Sequence, residues 1–148
     1  GTVGVDAARK ADRIYGASLA TAKATAAVLL AARPALVTLV PMGWEGRVRT
    51  DEDEVCAIYL KNLLQGCDPD PQSVRRLVEE CKESQKFDDP ARIEFHPGDR
   101  DLALALNAFS FAVRVFRRDG HLYAEKEMEA GSSLPTVAQE QSSGAKVF

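Results

Sequence analysis

One local pattern limits this chain more than any other. An alanine-rich, helix-forming run sits between two short apolar segments. Residues 18–33 have strong helix propensity, Ser18 suits an N-cap, and Pro34 cannot continue the helix. Upstream, residues 13–18 read as a short strand that ends in a turn at Gly16. Downstream, ALVTLV at 35–40 lies between two prolines and reads as a buried strand. Strand, helix and strand within about 30 residues describe a βαβ unit, with a parallel pair and a right-handed crossover.

The rest of the chain extends that pattern. Residues 3–12 form a short amphipathic helix with Val3, Ala7, Ala8 and Ala11 on one face. A turn-rich loop at 41–50 leads to a helix over 51–66, whose apolar stripe is Cys56, Tyr59, Leu60, Leu63 and Leu64. Asp70 and Pro71 mark the next helix start, with Val74, Leu77, Val78 and Cys81 as its inner face. Residues 86–100 read as loop, followed by a helix over about 99–106. A hairpin closes the ordered part. Phe109, Phe111, Val113 and Val115 alternate along its first strand, and Asp119-Gly120 is a type I′ turn signal. The expected fold is α/β, a three-layer α/β/α sandwich on a mixed sheet. One domain spans 1–128, and the Ser-, Gly- and Gln-rich stretch 129–148 reads as a mobile tail.

Composition narrows the class of function. The net charge is −3, with 19 basic and 22 acidic residues, which argues against a nucleic-acid binder. No apolar run approaches the roughly 20 residues that span a bilayer, and no basic-then-apolar signal opens the chain. Cys56, Cys67 and Cys81 are odd in number and lack CxxC spacing, which fits reduced thiols and a cytoplasmic setting.

Three places could carry chemistry. The Gly16-Ala17-Ser18 turn sets backbone N–H groups at a helix start, where an anion is favoured, and Ser18 and Thr21 add hydroxyls. Plain N-capping by Ser18 is the other reading. The helix that opens DEDE puts Glu52 on the apolar stripe and Asp53 one turn before Cys56 and Ala57. Two carboxylates facing inward at a helix N-terminus can hold Mg²⁺ together with water and substrate oxygens. They could equally pair with Arg47 or Arg49, or form a solvated acidic first turn. Arg47 and Arg49, two residues apart, point the same way in extended backbone and suit a doubly charged oxyanion. A surface pair balancing DEDE is the alternative. His96 and His121 lie in turns, and Cys56 reads as packing.

Taken in order, these patches resemble the 2-phosphosulfolactate phosphatase family. Gly1-Thr2 looks like the end of an Asn-Gly-Thr motif. Gly16-Ala17-Ser18-Leu19-Ala20-Thr21-Ala22 is similar to a Gly-Ser-hydrophobic-x-Asn-Ala motif, with one extra residue and Thr21 in place of Asn. Glu52-Asp53 with Cys56-Ala57 resembles Glu-Asp-x-x-Cys/Gly-Ala. The likeness extends over roughly residues 1–125. It implies Mg²⁺-dependent hydrolysis of a small-molecule phosphate ester on a sulfonated hydroxy acid, a step that serves coenzyme M synthesis in the best-known members. It assigns Glu52 and Asp53 to metal and catalysis. Gly1, Thr2, Gly16, Ser18 and Thr21 go to the phosphate or sulfonate, and Arg47 and Arg49, read from their spacing, would clamp the same group. The family's Asp-x-hydrophobic-Arg-Ala-Thr/Ser motif does not occur here, so the chain reads as a C-terminal portion lacking the family's N-terminal part. Such a portion is expected to associate with itself or with a complementary N-terminal half. The competing reading is a catalytically inactive α/β subunit that binds an anion or a protein.

Overall fold

The computed structural model describes residues 2–129. The chain opens with α1 (Thr2–Ala7) and the short strand β1 (Ile14–Gly16). A 3₁₀ turn (Leu19–Thr21) leads into α2 (Ala22–Ala32). Arg33 ends α2 in the left-handed region at φ 48°, with its N–H donating to the carbonyls of Leu29 and Leu30. Pro34 then prevents further helix. Two helices follow, α3 (Asp51–Leu64) and α4 (Pro71–Glu79). The Asp70 carboxylate caps α4 by accepting from the N–H groups of Gln72 and Ser73. A 3₁₀ stretch (Lys82–Asp88) and α5 (Pro97–Ala103) complete the helices.

The C-terminal hairpin forms as its pattern dictates. β2 (Ala112–Arg118) and β3 (His121–Glu127) pair antiparallel in continuous register. Asp119 and Gly120 take φ 50° and 78°, the two positive values of a type I′ turn. β1 joins the far edge of β2, also antiparallel, with Gly16 opposite Val113. The sheet order is β1-β2-β3. The described part of the molecule is therefore mixed helices on a three-stranded antiparallel sheet.

Two expectations need correction. The sheet contains no parallel pair, so the βαβ unit and the mixed sheet fail among the described residues. Residues 35–40 do not form a strand. They keep the pattern of one, because exposure alternates from Leu36 to Val40 with Val37 and Leu39 turned inward. The apolar run specifies an extended segment but not a neighbour to pair with. β1 meanwhile takes its partner from more than ninety residues downstream.

The core forms where the helices meet. Leu19, Ala22, Tyr59, Val74, Val78 and Leu104 are buried together, with Val55, Cys56, Leu63 and Leu106 packed around them. Leu77, expected inside, is 56% exposed, because α4 turns only Val74 and Val78 inward. α5 starts two residues earlier than its pattern suggested, since His96 accepts from the Gly98 N–H through Nδ1 and caps it. The first hairpin strand begins at Ala112, after Phe109 and Phe111. The expected tail at 129–148 lies, Glu129 apart, outside the described residues.

Candidate functional site

The start of α3 gathers most of the candidates. Thr50 is its N-cap in extended backbone, yet its side chain makes no capping bond. Its Oγ1 is buried without a hydrogen-bond partner, and so is Glu52 Oε2. Such groups normally find partners, because an unpaired buried oxygen forfeits its hydration. Both atoms sit at the positive end of a 14-residue helix. The 3₁₀ stretch after α4 touches α3, and its Ser84 Oγ is likewise buried and unpartnered. Cys81, just before it, has its thiol pushed up by burial and then by Asp51 and Glu52.

Asp53 has a different task. Its Oδ2 accepts the Gly43 N–H at 2.6 Å. Gly43 begins a tight loop closed by an antiparallel bridge between Trp44 and Val48. Only glycine fits there: φ is +60°, and a Cβ would sit 1.9 Å from the Val48 carbonyl oxygen. Asp53 thus fastens the 43–48 loop to the first turn of α3.

The two arginines do not join these acids. Arg49 forms a two-pronged pair with Glu54, one prong at 2.8 Å, and its side chain is 87% exposed. That pairing holds the Glu54 carboxyl below its ordinary range. Arg47 is exposed and has no ion pair among the described residues. The sequence alternatives for DEDE are therefore divided among its members. Glu54 takes an arginine, Asp51 is exposed, Asp53 ties a loop, and Glu52 keeps an orphan oxygen.

The Gly16–Thr21 patch is closed by its own side chains. Ser18 N–H donates to Thr21 Oγ1 at 3.2 Å, and the two hydroxyls lie 3.3 Å apart. Thr21 is buried. Gly16 is exposed and pairs with β2, and a Cβ there would meet only ordinary contacts. Gly1 lies outside the described residues, and Thr2 opens α1. Among the described residues no hydrogen bond or ion pair links this patch to Glu52 or Asp53.

A residue that the sequence reading missed ties the two regions together. Asn107, in the left-handed region at φ 56°, donates to the hydroxyl of buried Tyr59 at 2.8 Å. Its Oδ1 accepts the Lys23 N–H at the start of α2, and its own N–H donates to the Leu19 carbonyl. One asparagine thus joins the start of α2 to the middle of α3. An asparagine ahead of an aromatic strand was the only signal, and it reads as a turn.

Among the described residues no three His, Cys, Asp or Glu side chains cluster as a ready metal cage. No described helix is long and apolar enough to cross a membrane. Burial raises the Cys56 thiol to about 11, with Asp53 adding to the shift, so Cys56 is a packing residue at neutral pH.

Helices around one small antiparallel sheet, with buried unpartnered oxygens at a helix mouth, are consistent with an α/β domain. The family model described as 2-phosphosulpholactate phosphatase matches residues 1–96, and the chain belongs to that family. The match takes in both helix mouths and stops before the hairpin, short of the 1–125 that the motifs suggested. No curated protein and no solved structure matches the chain.

Proposed function

We propose that the protein is a Mg²⁺-dependent phosphomonoester hydrolase that converts 2-phosphosulfolactate and water to sulfolactate and phosphate. The observation that carries this reading is the buried, unpartnered Glu52 Oε2 at the N-terminus of α3, inside the family match. Mg²⁺ favours hard oxygen ligands and keeps most of its sphere for water and substrate, so one or two carboxylates suffice. Glu52 would hold the ion directly, and the Thr50 hydroxyl, two residues earlier at the same helix start, is another buried oxygen without a partner. Asp53 would act through water, because one of its oxygens is already committed to Gly43. When bound, the ion supplies positive charge next to the phosphoryl oxygens.

The chain's own residues supply positioning. Arg47, exposed on the loop that Asp53 fixes, is available for the phosphate or sulfonate. Arg49 would have to leave Glu54 to join it. Gly16, Ser18 and Thr21, with Gly1 and Thr2, would give donors to a second anionic group once the Ser18–Thr21 contacts open. Water is the final acceptor. A three-layer sandwich on a wider sheet, a cytoplasmic location and a place in coenzyme M synthesis go with this reading. The unpaired 35–40 segment favours a second one, a subunit that becomes active, or simply binds, only with a partner.

The test measures Mg²⁺-dependent phosphate release from 2-phosphosulfolactate and from an aryl phosphate. Turnover that falls about 100-fold in Glu52→Gln, with an unchanged circular dichroism spectrum, supports the hydrolase. Full activity in that variant removes Glu52 from the site. No turnover in the wild type leaves the binding subunit.

A further inference from the structure

The inference concerns residues 35–40 and stands independently of the hydrolase reading. This segment combines three observations. It has the period-two exposure of a strand, with Leu36 81% and Val40 62% exposed. None of residues 34–42 makes a backbone hydrogen bond among the described residues. Its inward side, Val37 and Leu39, lines an open groove of about 590 Å³ together with Leu29, Leu30 and Leu64, with Arg33 and Lys61 also on the wall. An unpaired apolar edge of this kind is a template for another strand, and this one carries no lysine, bulge or internal proline to blunt it.

We propose that the edge is the two-fold contact of a homodimer, in which 35–40 of one protomer pairs antiparallel with 35–40 of the partner. The sequence is self-complementary in one register, with Thr38 on the axis. Leu36 then faces Val40 of the partner subunit, and Val37 faces Leu39 of the partner subunit. Exposed residues meet exposed residues and groove residues meet groove residues, as same-face pairing requires. Placing Thr38 and the 36–40 pairs at hydrogen-bonded positions leaves Pro41 opposite Ala35 at a non-bonded one, where a missing N–H costs nothing. Pro34 falls at the next bonded position and ends the ladder.

Charge agrees with the register. No charged residue lies between Arg33 and Glu45, so the ladder brings no like charges together. The antiparallel arrangement brings the Arg33 end of each protomer to the Glu45 end of the partner. Both side chains are exposed and have no partner among the described residues. A ladder this short buries less than the roughly 1,200 Å² of a stable interface unless the joined grooves close on each other, so the dimer is reversible and concentration-dependent.

Sedimentation velocity on the full chain from about 1 to 200 μM tests this, with near-neutral pH and moderate salt. The expected wild-type result is a shift from the monomer mass to twice that mass with rising concentration. Leu36→Lys/Val40→Lys sets lysines directly across the axis from each other and is expected to stay monomeric throughout, with an unchanged circular dichroism spectrum. Leu77→Lys, at another exposed apolar site on α4, is expected to dimerise like the wild type. A monomeric wild type at every concentration overturns the proposal, and so does a double-lysine variant that dimerises normally. A wild type that stays monomeric alone but binds a synthetic ALVTLV peptide assigns the edge to a heterologous strand, and also overturns it.

Discussion

The protein has two helix starts that each bury a threonine and differ in how their polar groups are satisfied. At the start of α2, the Ser18 and Thr21 groups bond to each other, and Asn107 adds a further acceptor for Lys23 N–H. At the start of α3, the Thr50 hydroxyl and one Glu52 oxygen are buried with nothing to bond to. The first mouth is closed by its own chain, whereas the second is left short of partners. A free helix start attracts an anion or a cation-bound oxygen only if its groups are not already spent. The difference therefore ranks the α3 mouth above the Gly16–Thr21 turn as the place for chemistry.

The comparison breaks first if the shared scaffold is removed. Tyr59 is 1% exposed and connects the two regions through Asn107. Tyr59→Ala is expected to cost about 3–5 kcal/mol, read as a lower urea midpoint. Tyr59→Phe keeps the ring and loses the bond, at about 1 kcal/mol. Equal losses in the two variants would mean that the hydroxyl, and not the ring, joins α3 to Asn107.

The loop on the second mouth gives the next effect. Asp53→Ala deletes the acceptor for Gly43 and is expected to destabilise by about 2 kcal/mol, with faster proteolysis confined to residues 41–50. Asp53→Asn retains an acceptor oxygen and is expected to lose less. A loop that stays as resistant in Asp53→Ala as in the wild type would show that the bond does not hold it.

A matched pair of small changes sharpens the contrast most directly. Thr21→Val removes groups that are in use and is expected to cost about 1 kcal/mol. Thr50→Val removes a hydroxyl that bonds to nothing in the folded chain. It is expected to be neutral or slightly stabilising without metal. If the two valines cost the same, the α3 mouth has partners after all and loses its claim to the site.

Local chemistry made much of this architecture legible. The alanine run stopped by Pro34, the Asp70-Pro71 helix start and the Asp119-Gly120 turn each contain their own instructions. What the sequence could not tell is which segments meet. β1 pairs with a strand ninety-odd residues away, and ALVTLV pairs with none among the described residues. The same limit holds at the site. The wheel that placed Glu52 on the inward stripe agrees with its buried oxygen, but it says nothing about Arg49 choosing Glu54 or Asp53 choosing Gly43. Those choices depend on a loop whose path is set by Gly43 and the Trp44–Val48 bridge. Asn107 was invisible for the same reason, because its partners come from three separate elements.

The last expected effect lies beside the second mouth, vanishes at neutral pH and appears only as pH rises. Burial, with Asp53 adding, raises the Cys56 thiol from an ordinary value near 9 to about 11. The folded state therefore holds its proton while the unfolded chain gives it up, so stability falls as pH rises through that window. Tyr15, raised by burial and by Glu127, acts in the same direction at the upper end. Cys56→Ala is expected to remove most of the fall between about pH 9 and 11, measured as urea midpoints across the range. Tyr15→Phe is expected to remove only its upper part. At pH 8 a thiol-specific reagent is expected to label exposed Cys67 well before Cys56. Rapid labelling of Cys56 at that pH would mean that the first turn of α3 opens to water more easily than its packing allows, and its orphan oxygens would then be hydrated rather than held in wait for an ion.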